Sequence, residues 1–279
     1  MIVNLMRRAS FSAAHNYWLA EHTEDENRRA FGVWAARKPH GHNYLVEVTV
    51  SGDVDLNTGM VVNITDVNRA LKRWVIDVLD GRYLNEEVSY FRRNAPALEN
   101  IALFIWEALA NSLPSGANLT KTKLWEMDTL WTELYKESDG AMTASLTRSY
   151  DFSASHRLHS LHLSDDENRE IFGKCNNPNG HGHNYTVSVS VAGDPDSKTG
   201  MIFPLDELDK IVEEEVLMPF DHKHLNLDTP EFATINPTSE MLAIVIWQKL
   251  ARRLPTSGGT RLHSVVVSET ARNSFEYRG

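Results

Sequence analysis

The chain has 279 residues and a formal net charge of −10, with 42% hydrophobic and 24% charged residues. That balance predicts a soluble globular protein of one large or two ordinary domains. It argues against a nucleic-acid or acidic-membrane surface, and no apolar run approaches the roughly 20 residues of a bilayer span. The opening MIVNLMRRASFSAAH has no apolar signal core, and a single cysteine, Cys175, cannot form an internal disulfide, so a cytoplasmic location is expected.

In chain order, a short strand is predicted to end at FSAAH (11–15). A second follows in which Tyr44, Val46, Val48 and Val50 alternate toward one face, the period of a half-buried strand. After a TGM turn, Ile64, Val67, Leu71, Trp74 and Val78 mark one face of a helix. A second helix covers IALFIWEALANSLP (101–114).

The whole order then recurs with a shift of 141 residues, which carries His15 to His156. FSASH (152–156) repeats FSAAH, and HGHNY stands at both 40–44 and 181–185. Tyr185, Val187, Val189 and Val191 repeat the strand; Leu205, Leu208, Ile211, Val212 and Val216 repeat the helix face, with Asp206 expected as its N-cap. A helix beginning at Thr238/Ser239 and two strands, 262–269 and 274–278, close the unit. The lengths differ only in Ser/Gly-rich loops at 115–118 and 256–260. The period suits a domain rather than a solenoid unit. The expectation is an α+β protein of two tandem ββααββ modules, 1–138 and 145–279, each an antiparallel sheet with two helices on one face, joined near KESDGAMTA (136–144).

Residues i and i+2 of a strand share a face, so His181 and His183 present two imidazoles together, and His156 ends the neighbouring strand. Three imidazoles with an open fourth position suit a catalytic zinc ion. An HGH alone could equally be a turn with two exposed histidines; its recurrence beside the same FSAxH favours the metal. Cys175 lies in KCNNPNG, polar and turn-rich, poor company for a core thiol. Beside a divalent cation and Lys174 it is favoured as a thiolate, folding back over the metal rather than binding it. Asp221 and His222 sit in FDHKHLN. Neighbouring side chains diverge in an extended segment, so Asp221 is expected to orient a histidine across a turn or interface; the plainer reading is a capping Asp and a surface His. Glu269 follows a run of valines, where a carboxylate is costly unless paired, which suggests a ligand with paired N–H donors or else a solvated strand end. His159 and His162 are read as solvent-facing or anion-contacting.

Taken together, F-S-A-S-H, C-N-N-P-N-G-H-G-H-N-Y, T-G-M, D-H-K-H-L-N, P-T-S-E and S-E-T resemble the 6-pyruvoyl-tetrahydropterin synthase family over 145–279. The resemblance implies the tunnelling fold (T-fold), whose modules assemble around a barrel. It implies zinc on His156, His181 and His183, Cys175 as catalytic base, and Asp221 with His222 as an Asp–His pair normally lent by a neighbouring module. Glu269 would anchor the pterin edge, with Thr238, Ser239 and Glu240 completing the pocket. The implied reaction converts 7,8-dihydroneopterin triphosphate to 6-pyruvoyl-tetrahydropterin with loss of triphosphate, as in tetrahydrobiopterin biosynthesis. A related reading is 6-carboxytetrahydropterin synthase of the queuosine (deazapurine) pathway, which releases acetaldehyde; the long CNNPNG loop favours the pyruvoyl type. No GxGxxG or Walker loop occurs.

Residues 1–136 resemble the family in frame only. His15, His40 and His42, Asp80 and Glu126 remain, whereas Trp34 replaces the cysteine, Gly81 the histidine after Asp, Tyr83 His224, and Ala97 and Leu98 the Thr–Ser pair. This half is expected to be catalytically dead, a possible vestigial zinc site and a built-in partner module. A rival reading makes the protein a non-catalytic zinc- or pterin-binding scaffold. A homo-oligomer is expected, a trimer of tandem chains being favoured because family hexamers contain six modules.

Overall fold

Alternation decides the strands. In the computed structural model, Tyr44, Val46, Val48 and Val50 are all fully buried, as are Val187, Val189 and Val191, with Tyr185 at 1% exposure. Burying one such side chain stabilises the fold by about 1.5–3 kcal/mol, and a slip of one residue would turn the row to solvent. The structure describes residues 1–137, 139–254 and 259–279; the expected module end at 138 and the loop at 256–258 lie outside the described residues.

The chain divides into two compact units, Met1–Leu146 with Ala192–Asp206, and Thr147–Val191 with Glu207–Gly279. The first contains β1 (Ile2–His15), α1 (Glu24–Phe31), β2 (His40–Asp53), α2 (Ile64–Leu71), α3 (Leu98–Ala110), β3 (Asn118–Met127) and β4 (Leu130–Lys136). Its sheet runs β4-β3-β2-β1 with antiparallel neighbours, and α3 packs over β3 and β4. The second carries most of β5 (Met142–His156), α4 (Asp165–Phe172), most of β6 (His181–Ala192), most of α5 (Leu205–Val212), α6 (Ser239–Leu250), β7 (Arg261–Thr270) and β8 (Asn273–Tyr277). Its strand order is β8-β7-β6-β5, and α6 packs on β7 and β8.

Several expectations need correction. The strands ending at His15 and His156 span 14 and 15 residues, not short stubs. The polar stretch before each HGH holds a helix: Thr23 and Ser164 cap α1 and α4, and Glu26 and Glu167 close reciprocal capping boxes, satisfying two orphan backbone donors. The helix face 64/67/71/74/78 also fails at its end. A π-turn, Lys72–Ile76, adds one residue to the repeat, so Val75 and Leu79 are buried while Trp74 is 42% exposed. Asp206 falls inside the first turn of α5 and accepts the Val33 N–H at 3.3 Å instead of capping.

Candidate active site

The register of β1 on β2 places His15 opposite His40 and Ala13 opposite His42. Since 40 and 42 share a face, three imidazoles converge, with the His15 ring 4.6 Å from that of His40 and 5.2 Å from that of His42. The second unit repeats this: His156 lies 4.6 Å from His181 and 5.3 Å from His183. In each triad, nitrogens from all three rings lie within 4.8 Å of one another. Gly180 allows the approach. It has φ +70°, and a Cβ there would stand 2.8 Å from the His156 carbonyl oxygen, so a side chain fails on both counts.

Sequence reasoning missed what holds the first imidazole of each triad. His156 Nδ1 donates to the Pro237 carbonyl at 2.7 Å, and His15 Nδ1 to that of Pro96 at 2.8 Å. A carbonyl only accepts, so each proton sits on Nδ1 and the Nε2 lone pair faces the cluster, the arrangement of a metal-binding histidine. The available signal was the proline that precedes the helix in both A-P-A-L-E and N-P-T-S-E. Burial holds the His156 imidazole below its ordinary value, opposed by the Pro237 bond, and lowers His15 to about 3. His15 Nε2, His42 Nε2 and His183 Nε2 are buried without a hydrogen-bond partner. A divalent cation bound by neutral imidazole nitrogens suits both sets.

Glu269, near the end of β7, comes to the second triad: Oε1 lies 3.4 Å from His183 Nε2 and 3.7 Å from His156 Nε2. Glu126 takes the same place in the first, 3.6 Å from His42 Nε2 and 3.8 Å from His15 Nε2. Cys175 lies in the 3-10 turn Gly173–Asn176 after α4 and stays outside the group of possible ligands. Its carbonyl accepts the Leu158 N–H at 2.9 Å, tying the turn to the residues just after His156.

The Asp–His expectation is corrected. Asp221 Oδ2 is 2.8 Å from Nδ1 of His222, its own neighbour, because His222 has φ +55° and the chain is not extended there. Ser153 fixes the pair, its N–H donating to Asp221 Oδ1 at 2.8 Å and its carbonyl accepting the His222 N–H at 2.6 Å. The Ser153 amide, and then the imidazole, hold the Asp221 carboxyl below the ordinary range. His222 and His183 line one shallow depression of about 460 Å³. Its counterpart, about 480 Å³, contains His42 but has Gly81 in place of the second imidazole.

Thr238 caps α6, accepting the Met241 N–H at 3.3 Å; Ser239 is buried and Glu240 exposed. His159 is not simply solvent-facing: it is half-buried, its amide donates to Asn236 Oδ1 at 3.0 Å and its ring lies 3.2 Å from Asn176 Oδ1. His162 is exposed. Among the described residues no helix is long and apolar enough to cross a membrane.

Comparison with known proteins finds one family matching twice along the chain. The family described as 6-pyruvoyl tetrahydropterin synthase matches residues 4–137 and again 145–279. The chain is 50% identical over 134 residues to 6-pyruvoyl tetrahydrobiopterin synthase of Poecilia reticulata, covering 48% of this chain and 89% of that protein. It is 49% identical over 136 residues to the protein of the same name from Homo sapiens, covering 49% and 92%. The solved 6-pyruvoyl tetrahydropterin synthase of Caenorhabditis elegans is 43% identical, covers 49% of this chain and 96% of its own, and aligns with a TM-score of 0.47. With the family model matched twice along one polypeptide, the chain belongs to the 6-pyruvoyl tetrahydropterin synthase family.

Proposed function

We propose that the second module, 145–279, is a zinc-dependent lyase that converts 7,8-dihydroneopterin triphosphate to 6-pyruvoyl-tetrahydropterin with elimination of triphosphate, and that the first, 1–138, is catalytically silent. The observation that carries this reading is the difference between two otherwise matched sites. Both keep three imidazoles and a carboxylate beside them, but only the second sets an Asp-bound imidazole in the depression that its metal-facing histidine lines and keeps a cysteine in the turn tied to Leu158, two residues after His156.

His156, His181 and His183 would hold the zinc ion, which supplies Lewis acidity to the side-chain hydroxyls of the substrate. The Cys175 thiolate takes a proton from the adjacent carbon, and triphosphate leaves. His222, oriented by Asp221, returns protons as the enol tautomerises to ketone. Electrons from the carbinol carbons of the side chain pass into the ring, so the pterin is reduced without an external donor. Glu269 pairs with the N–H donors of the pterin edge, and Thr238 and Ser239 flank it from the head of α6.

The test is incubation of the zinc-loaded protein with 7,8-dihydroneopterin triphosphate and mass identification of the products. A pterin keeping all three side-chain carbons, with triphosphate released, supports the proposal. Acetaldehyde with a 6-carboxy pterin would reassign the chain to 6-carboxytetrahydropterin synthase. No turnover would leave a zinc- or pterin-binding scaffold.

A further inference from the structure

Beside the second triad lies an open pocket of about 520 Å³ that the proposed chemistry has not used. Arg157, His159, His162 and His224 line it, with Asn236 and Thr238, and among the described residues no carboxylate does. In a chain of net charge −10, a wall with four basic side chains and no acid suits an anion. The pocket adjoins the metal site. Arg157 directly follows His156, and His224 Nε2 would stand 2.9 Å from a Cβ on Gly180, the residue before His181. Thr238, the N-cap of α6, brings the positive end of a 12-residue helix to the same wall.

The donors of this wall are aligned but not consumed. Arg157 donates from Nε to Asn176 Oδ1 at 3.0 Å and from Nη2 to His159 Nδ1 at 3.3 Å. A guanidinium only donates, so the His159 proton sits on Nε2, where it is left to a ligand. His224 Nδ1 is buried without a hydrogen-bond partner, a costly state for a ring that meets nothing.

The first unit has none of this. Asn16, Trp18, Glu21 and Tyr83 stand where the second has Arg157, His159, His162 and His224. They satisfy one another: Tyr83 Oη donates to Asn16 Oδ1 at 3.1 Å, and Asn16 Nδ2 to the Ala36 and Arg37 carbonyls at 2.8 and 3.0 Å. Ser160, Asn236 and Thr238 are replaced by Leu19, Ala95 and Ala97, which join Tyr17 and Phe31 in a buried apolar cluster. The unit without Cys175 and His222 is also without the basic wall, and its space is filled.

We propose that the pocket seats the triphosphate of the substrate, with N–H bonds from Arg157, His159 and His224 to phosphate oxygens and His162 at the exposed rim. This rests on reading the substrate as a triphosphate ester. The phosphates are gripped alike before and during bond breaking, so these residues bind rather than catalyse, and their loss shows in KM with kcat unchanged.

Inorganic tripolyphosphate is the probe, titrated calorimetrically into the zinc-loaded full chain. Three substitutions borrow the first unit's residues: Arg157→Asn, His224→Tyr and His162→Glu. Each is expected to weaken probe binding, and to raise KM for 7,8-dihydroneopterin triphosphate, by about 10–100-fold, the worth of a hydrogen bond to a charged group. Should Arg157→Asn not fold, His162→Glu at the exposed rim decides with His224→Tyr. His183→Ala, which removes a metal ligand, is expected to leave probe affinity unchanged, and elemental analysis checks that the probe strips no zinc. Affinity lost in His183→Ala but kept in His162→Glu and His224→Tyr would place the probe on the metal and overturn the seat. Turnover with KM unmoved in all three variants overturns it too, leaving the proposed function standing. No turnover, with the probe bound and sensitive to the same substitutions, would overturn that function and uphold the seat.

Discussion

Asp221 Oδ2 lies 2.8 Å from Nδ1 of His222 although the two residues are consecutive. On an extended strand their side chains would point apart; the left-handed His222 backbone and the two hydrogen bonds to Ser153 bring them together. With its carboxyl held below the usual range, Asp221 stays charged through the whole interval in which imidazoles titrate. His222→Ala is therefore expected to lower kcat by about 10²–10⁴-fold, the contribution of a positioned acid–base group. Asp221→Asn should cost less, on the order of 10-fold, in kcat with KM unchanged, because it orients the imidazole rather than exchanging protons. Steady-state kinetics of both variants provide the check. An Asp221→Asn loss confined to KM would mean that the carboxylate binds substrate instead.

The two triads share the geometry that matters for a metal, down to the Nδ1–H donated to a proline carbonyl. Two equivalents of zinc per chain are expected by elemental analysis. His42→Ala and His183→Ala should each leave one, and only His183→Ala should be read together with loss of turnover. A wild-type stoichiometry of one would confine the metal to a single unit, and the two variants would identify which.

How much of this was legible depends on the distance over which each cause acts. The alternating rows at Tyr44 and Tyr185 and the HGH pairs are written in adjacent letters, and a period of two settles both facing and convergence. Each capping box was also written, as T-x-x-E at 23–26 and S-x-x-E at 164–167, but the polar composition hid the helix behind it. The π-turn at Lys72–Ile76 and the positive φ of His222 leave no mark in residue type. Trp74 and Val75 look equally fit for the core, and only the backbone decides between them. The Pro237 carbonyl is a backbone acceptor 81 residues from the histidine it holds, and only the proline repeated before each helix hints at it.

Cys175 and Trp34 occupy equivalent positions in a repeat whose three clustered histidines are intact. Cys175→Ala is expected to abolish turnover by at least 10²-fold, showing that the first module makes no product by itself. Adding Trp34→Cys in that background should restore nothing, because Gly81 supplies no imidazole to the depression below it. Product formation in the double variant would contradict the assignment of His222 as proton carrier. Zinc content, measured in parallel, separates a lost thiolate from a lost metal.

Glu99 is the buried acid whose environment makes a clear statement about stability. Burial pushes its carboxyl from 4.5 up to about 7, against the hydrogen bond from Ile202. Between those two values the folded chain keeps a proton that the unfolded chain has released. Stability therefore falls as pH rises through that window, and above it the full cost stands, about 3 kcal/mol at roughly 1.4 kcal/mol per pH unit. Glu99→Gln keeps an acceptor oxygen for the Ile202 N–H and carries no charge to desolvate. At pH 8 it should raise the unfolding free energy of the first unit by about 2–3 kcal/mol, and at pH 4.5 by less than about 0.5 kcal/mol. Denaturant unfolding at both pH values measures this directly. An equal gain at both would assign the effect to packing rather than ionisation, and a loss at both would mean that the amide's N–H₂ finds no partner where the carboxyl's second oxygen now sits.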